Sequence, residues 1–145
     1  MSGLISIIGL AIVTAQLPQL ALPDGNSTWL VQVVTSGGLM GKGGGDFAIS
    51  SEGKIVCSLQ LRCVSDFKPS NLQPLVEVIH GVDLPAAVVP IVSLCRDCIT
   101  RTITVTSRDF AGALRVYTAS WDDTTKDKLP LEIIRIYDAA RELAK

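Results

Sequence analysis

The chain predicts a small α+β domain, an antiparallel sheet of about five strands with two helices in the order β-β-β-α-β-β-α. Three observations carry this. Apolar residues alternate with polar ones in 28–36 and 54–63, and 98–106 is rich in Thr and Ile, as strands are. They recur at helical spacing in 69–81 and 130–144. Segments rich in Gly, Ser and Asp separate these stretches, as turns do.

"TWLVQVVTS" (28–36) is the first strand, with Trp29, Val31 and Val33 on one face and Leu30, Gln32 and Val34 on the other. "DFAIS" (46–50) is the second, and "SSEGK" turns the chain with Gly53 free to take positive φ. "KIVCSLQLRC" (54–63) reads as the clearest strand, Ile55, Cys57, Leu59, Leu61 and Cys63 sharing a face. Together the three form an antiparallel meander. The helix "PSNLQPLVEVIHG" (69–81) has Ser70 or Asn71 as cap, Pro74 in its first turn and Gly81 at its end. Its apolar stripe is Leu72, Leu75, Val76 and Ile79. An apolar, twice proline-broken connection (82–94) follows. "CITRTITVT" (98–106) and "LRVYTAS" (114–120) make a hairpin, with Arg101, Arg108 and Arg115 as a solvated face opposite the core. "WDDTTKDK" is a polar loop that keeps Asp122 and Asp123 in water. Pro130 opens the closing helix, with Leu131, Ile134, Tyr137 and Leu143 on one side.

With 145 residues the chain holds one core. Its 13 basic and 14 acidic residues form no basic stripe, and aromatics are only 5%, so a nucleic-acid partner is excluded. An apolar fraction of 48% excludes general disorder. Residues 1–23 carry no charge, and Leu4 to Val13 suits the core of a signal peptide but is too short to span a bilayer. Val13-Thr14-Ala15 is an acceptable cleavage pattern, although no Lys or Arg follows Met1. The organisation expected is a signal peptide over 1–15, a flexible segment over 16–27 and a single domain over 28–145, secreted or periplasmic, with no stable membrane span. Asn26-Ser27-Thr28 matches a glycosylation sequon.

Four cysteines in a small exported domain favour two disulfides among Cys57, Cys63, Cys95 and Cys98. On a continuous strand Cys57 and Cys63 would lie roughly 20 Å apart, beyond disulfide reach. They pair only if the strand ends early and bends near Arg62, so Cys63 is expected to join Cys95 or Cys98; if the CxxC closes on itself, Cys57 and Cys63 each remain free or bend together. A zinc knuckle needs a second short pair, which the spacing of Cys57 and Cys63 does not supply. A redox motif needs a helix N-terminus, whereas Cys95-Arg96-Asp97-Cys98 leads into a strand.

The stretch "TSGGLMGKGGGD" (35–46) is the most distinctive in the chain. Aligned as a P-loop on Gly41-Lys42, it has Ser36 where the first glycine belongs and Gly43 where the magnesium-binding hydroxyl belongs. Aligned as a dinucleotide fingerprint, it has Asp46 at the third glycine. Neither phosphate reading fits. Leu39 and Met40 at the tip of a loop mark a contact site or fold back onto the core. The single histidine, His80, sits at a helix end and no nucleophile elbow occurs. With no acid–base or nucleophile set, the chain reads as a non-enzyme without cofactor or metal site.

"VQVVTSGGLMGKGG", "CRDCITRTITVT" and a helix beginning "LPLEIIRIYDAA" resemble, in that order, the emfourin-type protealysin-inhibitor family over residues 29 to 144. Family members often have a tyrosine opening the strand after the Asp, where this chain has Ile99 and Arg101. The resemblance implies a non-catalytic inhibitor of a secreted thermolysin-like metalloprotease. It implies Ser36, Gly37 and Gly38 in the binding loop and Asp97 before the strand. The partner-binding loop expected is Ser36, Gly37, Gly38, Leu39, Met40 and Gly41. The alternative is a secreted protein-binding or structural module with no protease target.

Overall fold

A computed structural model describes residues 28–37, 45–58, 63, 69–81, 95, 97–108 and 111–145. The expectations for the signal segment and sequon, for residues 38–44 and for the connection over 82–94 lie outside the described residues. Five strands, β1 (Trp29–Gly37), β2 (Phe47–Ser50), β3 (Ile55–Cys57), β4 (Ile99–Arg108) and β5 (Leu114–Trp121), form one antiparallel sheet in the order β3-β2-β1-β4-β5. A 3-10 turn over Pro69–Leu72 leads into α1 (Gln73–His80), and α2 (Leu131–Leu143) closes the chain. The α+β class and the element order are those the sequence predicts.

The period-two pattern explains which face is covered. Cross-strand register lines up Cys57, Phe47, Val33, Ile103 and Ala119 in one row, and Ile55, Ile49, Val31, Val105 and Tyr117 in the next. Both rows belong to the core, against Leu72, Leu75 and Ile79 of the α1 region and Ile133, Ile136, Tyr137 and Ala140 of α2. The other face carries the intervening hydroxyls. Thr102 bonds Ser120 at 2.8 Å and Thr104 bonds Thr118 at 3.3 Å, cross-strand pairs that hold β5 to β4. Leu30, Ala48, Ser50 and Thr106 on that face are buried as well.

Gly53 takes φ 82°, and the Ser50 and Lys54 backbones bond across the turn at 3.0 Å, as the turn reading expects. Elsewhere the local detail differs. The α1 helix starts from Leu72 with no side-chain cap, so neither Ser70 nor Asn71 caps it, while Pro74 does sit in the first turn. Gly81 ends it in right-handed geometry, its N–H donating to the Glu77 carbonyl at 3.0 Å.

In α2 the buried stripe is Ile133, Ile136, Tyr137 and Ala140, continued by Ala144 just past the helix; of the expected stripe Tyr137 is buried, Ile134 and Leu143 are partly buried against the core, and Leu131 points away. Leu131 is 55% exposed. The inward positions include two alanines, so a face chosen by its large side chains is rotated from the true one. Pro130 stands just outside the helix, its carbonyl accepting from the Ile133 and Ile134 amides at 3.0 and 3.2 Å.

Burial of Tyr117 in the second row pushes its hydroxyl above the ordinary tyrosine value of 10.0 by desolvation of the phenolate. The neutral form is the one the folded state favours. Its contribution to stability is therefore complete below about pH 10 and is lost as pH rises through the higher folded value. Urea unfolding between pH 8 and 11 is expected to show a falling midpoint whose steepest part shrinks in Tyr117→Phe. Superimposable pH profiles for the two proteins would count against this burial.

Candidate functional site

The end of the sheet where β1 leaves and β4 enters gathers most of the distinctive residues. Ser36 and Gly37 close β1, opposite Thr100 and Ile99 of β4. Immediately before Ile99, Cys98 closes on Cys95 with the two Cα atoms 5.5 Å apart. This clip lies directly behind Gly37. A Cβ placed on Gly37 would come within 2.7 Å of the Cys98 carbonyl oxygen, and Gly37 has φ 85°. Only glycine meets both conditions without strain. Gly37→Ala is expected to cost roughly 1–3 kcal/mol, measured by urea unfolding; an unchanged midpoint would mean that the two backbones do not approach this closely.

The other root of the same loop is also fixed. Asp46 precedes β2, and its carboxylate accepts the Thr35 N–H at 2.6 Å. The Asp46 N–H donates to the Ser58 hydroxyl at 3.1 Å, and the Ser58 N–H donates to the Asp46 carbonyl at 2.8 Å. Thr35 and Asp46 thus bridge the strands across the base of the glycine-rich stretch, and Ser58 ties that bridge to the end of β3. Neither Asp46 nor Ser58 is in the predicted set. Both lie close to an element end, but their pairing joins residues far apart in sequence, which no local pattern displays. Of the predicted loop residues, Ser36 and Gly37 are exposed at the end of β1, whereas Gly38, Leu39, Met40 and Gly41 lie outside the described residues.

The second clip corrects the disulfide expectation. Cys57 and Cys63 are at disulfide distance with Cα atoms 6.2 Å apart, and the four cysteines pair as 57–63 and 95–98. Cys63 therefore joins neither Cys95 nor Cys98. The strand read as 54–63 ends at Cys57, and the Cα separation of Cys57 and Cys63 is 6.2 Å in place of the roughly 20 Å of a continuous strand. The Cys63 sulfur packs 3.3 Å from the Ala144 carbonyl oxygen, which sets this clip against the C-terminal end of α2. A sulfur held in a disulfide is not a thiolate, so these four cysteines as paired are not zinc ligands.

The arginines of the β4–β5 hairpin are divided between its two ends and its two faces. Arg101 shares the sheet face of Ile103 and Val105, and its guanidinium meets Asp123 at 2.5 Å. Arg115 has the same facing by register with Ser107, while Arg108 has the opposite one. The three arginines therefore do not form one face opposite the core. Asp122 is fully buried, in contrast to the solvated loop acid expected. Its Oδ1 accepts from the Thr124 N–H at 2.8 Å, the Thr124 hydroxyl at 2.6 Å and the Thr125 hydroxyl at 3.1 Å. This carboxylate organises the turn between β5 and α2; Asp123 alone faces water.

What the arrangement can do is hold a glycine-rich segment between two fixed strand ends, each backed by a disulfide. The chain matches no family model, no curated protein and no solved structure.

Proposed function

We propose that the protein is an exported, non-catalytic binding protein that presents residues 36–41 to a partner, and that the partner is a secreted thermolysin-like metalloprotease. The observation that supports this reading is the bracing of both loop roots: the Thr35–Asp46 bond across the base and the Cys95–Cys98 clip behind Gly37. A run of glycines is flexible on its own, and an inhibitory loop must be held in one shape to avoid the ordering cost on binding. Fixing both ends removes part of that cost. Two disulfides suit an oxidising compartment. Among the described residues no helix is long and apolar enough to cross a membrane.

The test compares the native chain with one in which residues 38–44 are replaced by a short turn, against a panel of secreted metalloproteases. The native chain is expected to inhibit at least one member, and the replaced chain to lose that inhibition by about a hundredfold or more with its circular dichroism unchanged. Failure of the native chain on the whole panel, or equal inhibition by both chains, would remove the proposal.

A second reading rests on β5. This strand lies at the sheet edge, with Leu114 and Val116 52% and 57% exposed and no lysine or proline along Leu114–Trp121 to block pairing. A module that adds a partner's extended strand would use this edge. Loss of partner capture from culture fluid on Val116→Lys, with the loop intact, would select this reading over the first.

A further inference from the structure

Beside the loop base, an open cleft of about 140 Å³ runs between the β1–β2 ends and the last turn of α2. Val33, Phe47 and Tyr137 line it from the core, and Thr35, Arg141 and Lys145 stand around it. The three core side chains are at most 5% exposed, so the cleft is formed by the domain's own packing. Its volume admits one side chain of valine or leucine size.

The charges around it are unequal. Lys145 is held by Glu142 in an exposed ion pair. Asp46 directs a carboxylate oxygen to the Thr35 amide. Arg141 is exposed and forms no ion pair among the described residues. A small apolar cleft with one uncommitted guanidinium beside it matches a ligand that carries an apolar group and a carboxylate within a single residue. A guanidinium holds a carboxylate through two parallel hydrogen bonds, so the pairing also fixes orientation.

We propose that this cleft binds the C-terminal residue of a polypeptide partner, its apolar side chain inserted against Val33, Phe47 and Tyr137 and its terminal carboxylate on Arg141. The inference does not depend on the protease reading. A loop that fails to inhibit leaves the cleft unaffected, and the replaced-loop chain keeps every residue named here. A basic residue in the last turn also offsets the helix dipole. That role alone would make Arg141 matter for stability and give no preference among ligands.

The probe is the tripeptide acetyl-alanyl-alanyl-leucine, as free acid and as amide, titrated into the full chain and followed by amide chemical shifts. The acid is expected to shift the Val33, Phe47 and Tyr137 signals saturably and to bind roughly tenfold more tightly than the amide. Arg141→Gln is expected to erase that preference while leaving the spectrum of the free protein otherwise unchanged. Thr35→Leu, which places an apolar side chain in the cleft and keeps the backbone bond to Asp46, is expected to abolish binding of both forms. No saturable shift up to about 10 mM, equal affinity for acid and amide, or a preference that survives Arg141→Gln would overturn the proposal.

Discussion

Replacing Trp121 by alanine is expected to lower the unfolding free energy by roughly 3–5 kcal/mol, the largest effect of any single change considered. Trp121 ends β5, is 1% exposed, and meets Tyr137 of α2 edge-on with ring centroids 4.9 Å apart and planes at 84°. It therefore ties an edge strand to the closing helix. Truncation leaves a cavity where those two elements meet and removes the aromatic contact, which contributes about 0.5–1.5 kcal/mol beyond area burial. Tyr137 has a further partner in Lys126, whose ammonium lies 5.4 Å from the ring centre while pairing with Asp138 at 3.0 Å. That exposed pair adds little. Trp121→Phe separates packing from hydrogen bonding. The indole Nε1 is buried and has no acceptor among the described residues, so the phenylalanine loses area and also removes that donor. It is expected to cost less than half as much as alanine. Equal losses for the two variants in urea unfolding would contradict this account of the contact.

Replacing Cys57 and Cys63 together by alanine is expected to cost about 2–3 kcal/mol without reductant. The clip closes a short loop, so chain entropy alone accounts for about 2 kcal/mol. The remainder comes from geometry. β3 is a three-residue edge strand, and Cys57 is its last residue, opposite Phe47. Beyond it the clip carries the chain to Cys63, against the Ala144 carbonyl. Hydrogen exchange should accelerate first at Ser58 and Asp46, whose mutual bonds continue the strand pairing beyond β3. The corresponding change at Cys95 and Cys98 should instead expose Gly37 and Ile99. If both double variants loosened the same amides, the clips would not guard separate roots of the loop.

The order of elements was legible because the longer strands carry enough alternating residues to define a period, while β2 and β3 were marked off by the turn between them. "ITRTITVT" divides into inward Ile103 and Val105 and outward Thr102, Thr104 and Thr106, as the structure has it. Where the reading erred, a local pattern had a nonlocal competitor. Alternation from Ile55 to Cys63 looked like one strand, but β3 ends at Cys57, where the clip to Cys63 begins. The large side chains of α2 suggested one face, while Ala140 and Ala144 mark the true one. Asp122 looked solvated among polar neighbours, yet Thr124 and Thr125 supply its bonds within the turn. That case was decidable locally, since an acid followed closely by two threonines is an Asx-turn pattern. The candidate site divides the same way. Its loop was visible as composition; its bracing by Asp46 and Ser58, and the cleft joining Val33 to Arg141, exist only after β1, β2 and α2 have come together.

The measurement that bears most directly on the central claim follows two quantities in one mixture: the residual activity of a secreted thermolysin-like metalloprotease and the intact mass of this chain. The result expected is a loss of activity in proportion to added protein while the mass stays whole and both cysteine pairs remain closed. An undiminished protease together with fragments cut between residues 37 and 45 would contradict it, because that segment would then be substrate and not stopper.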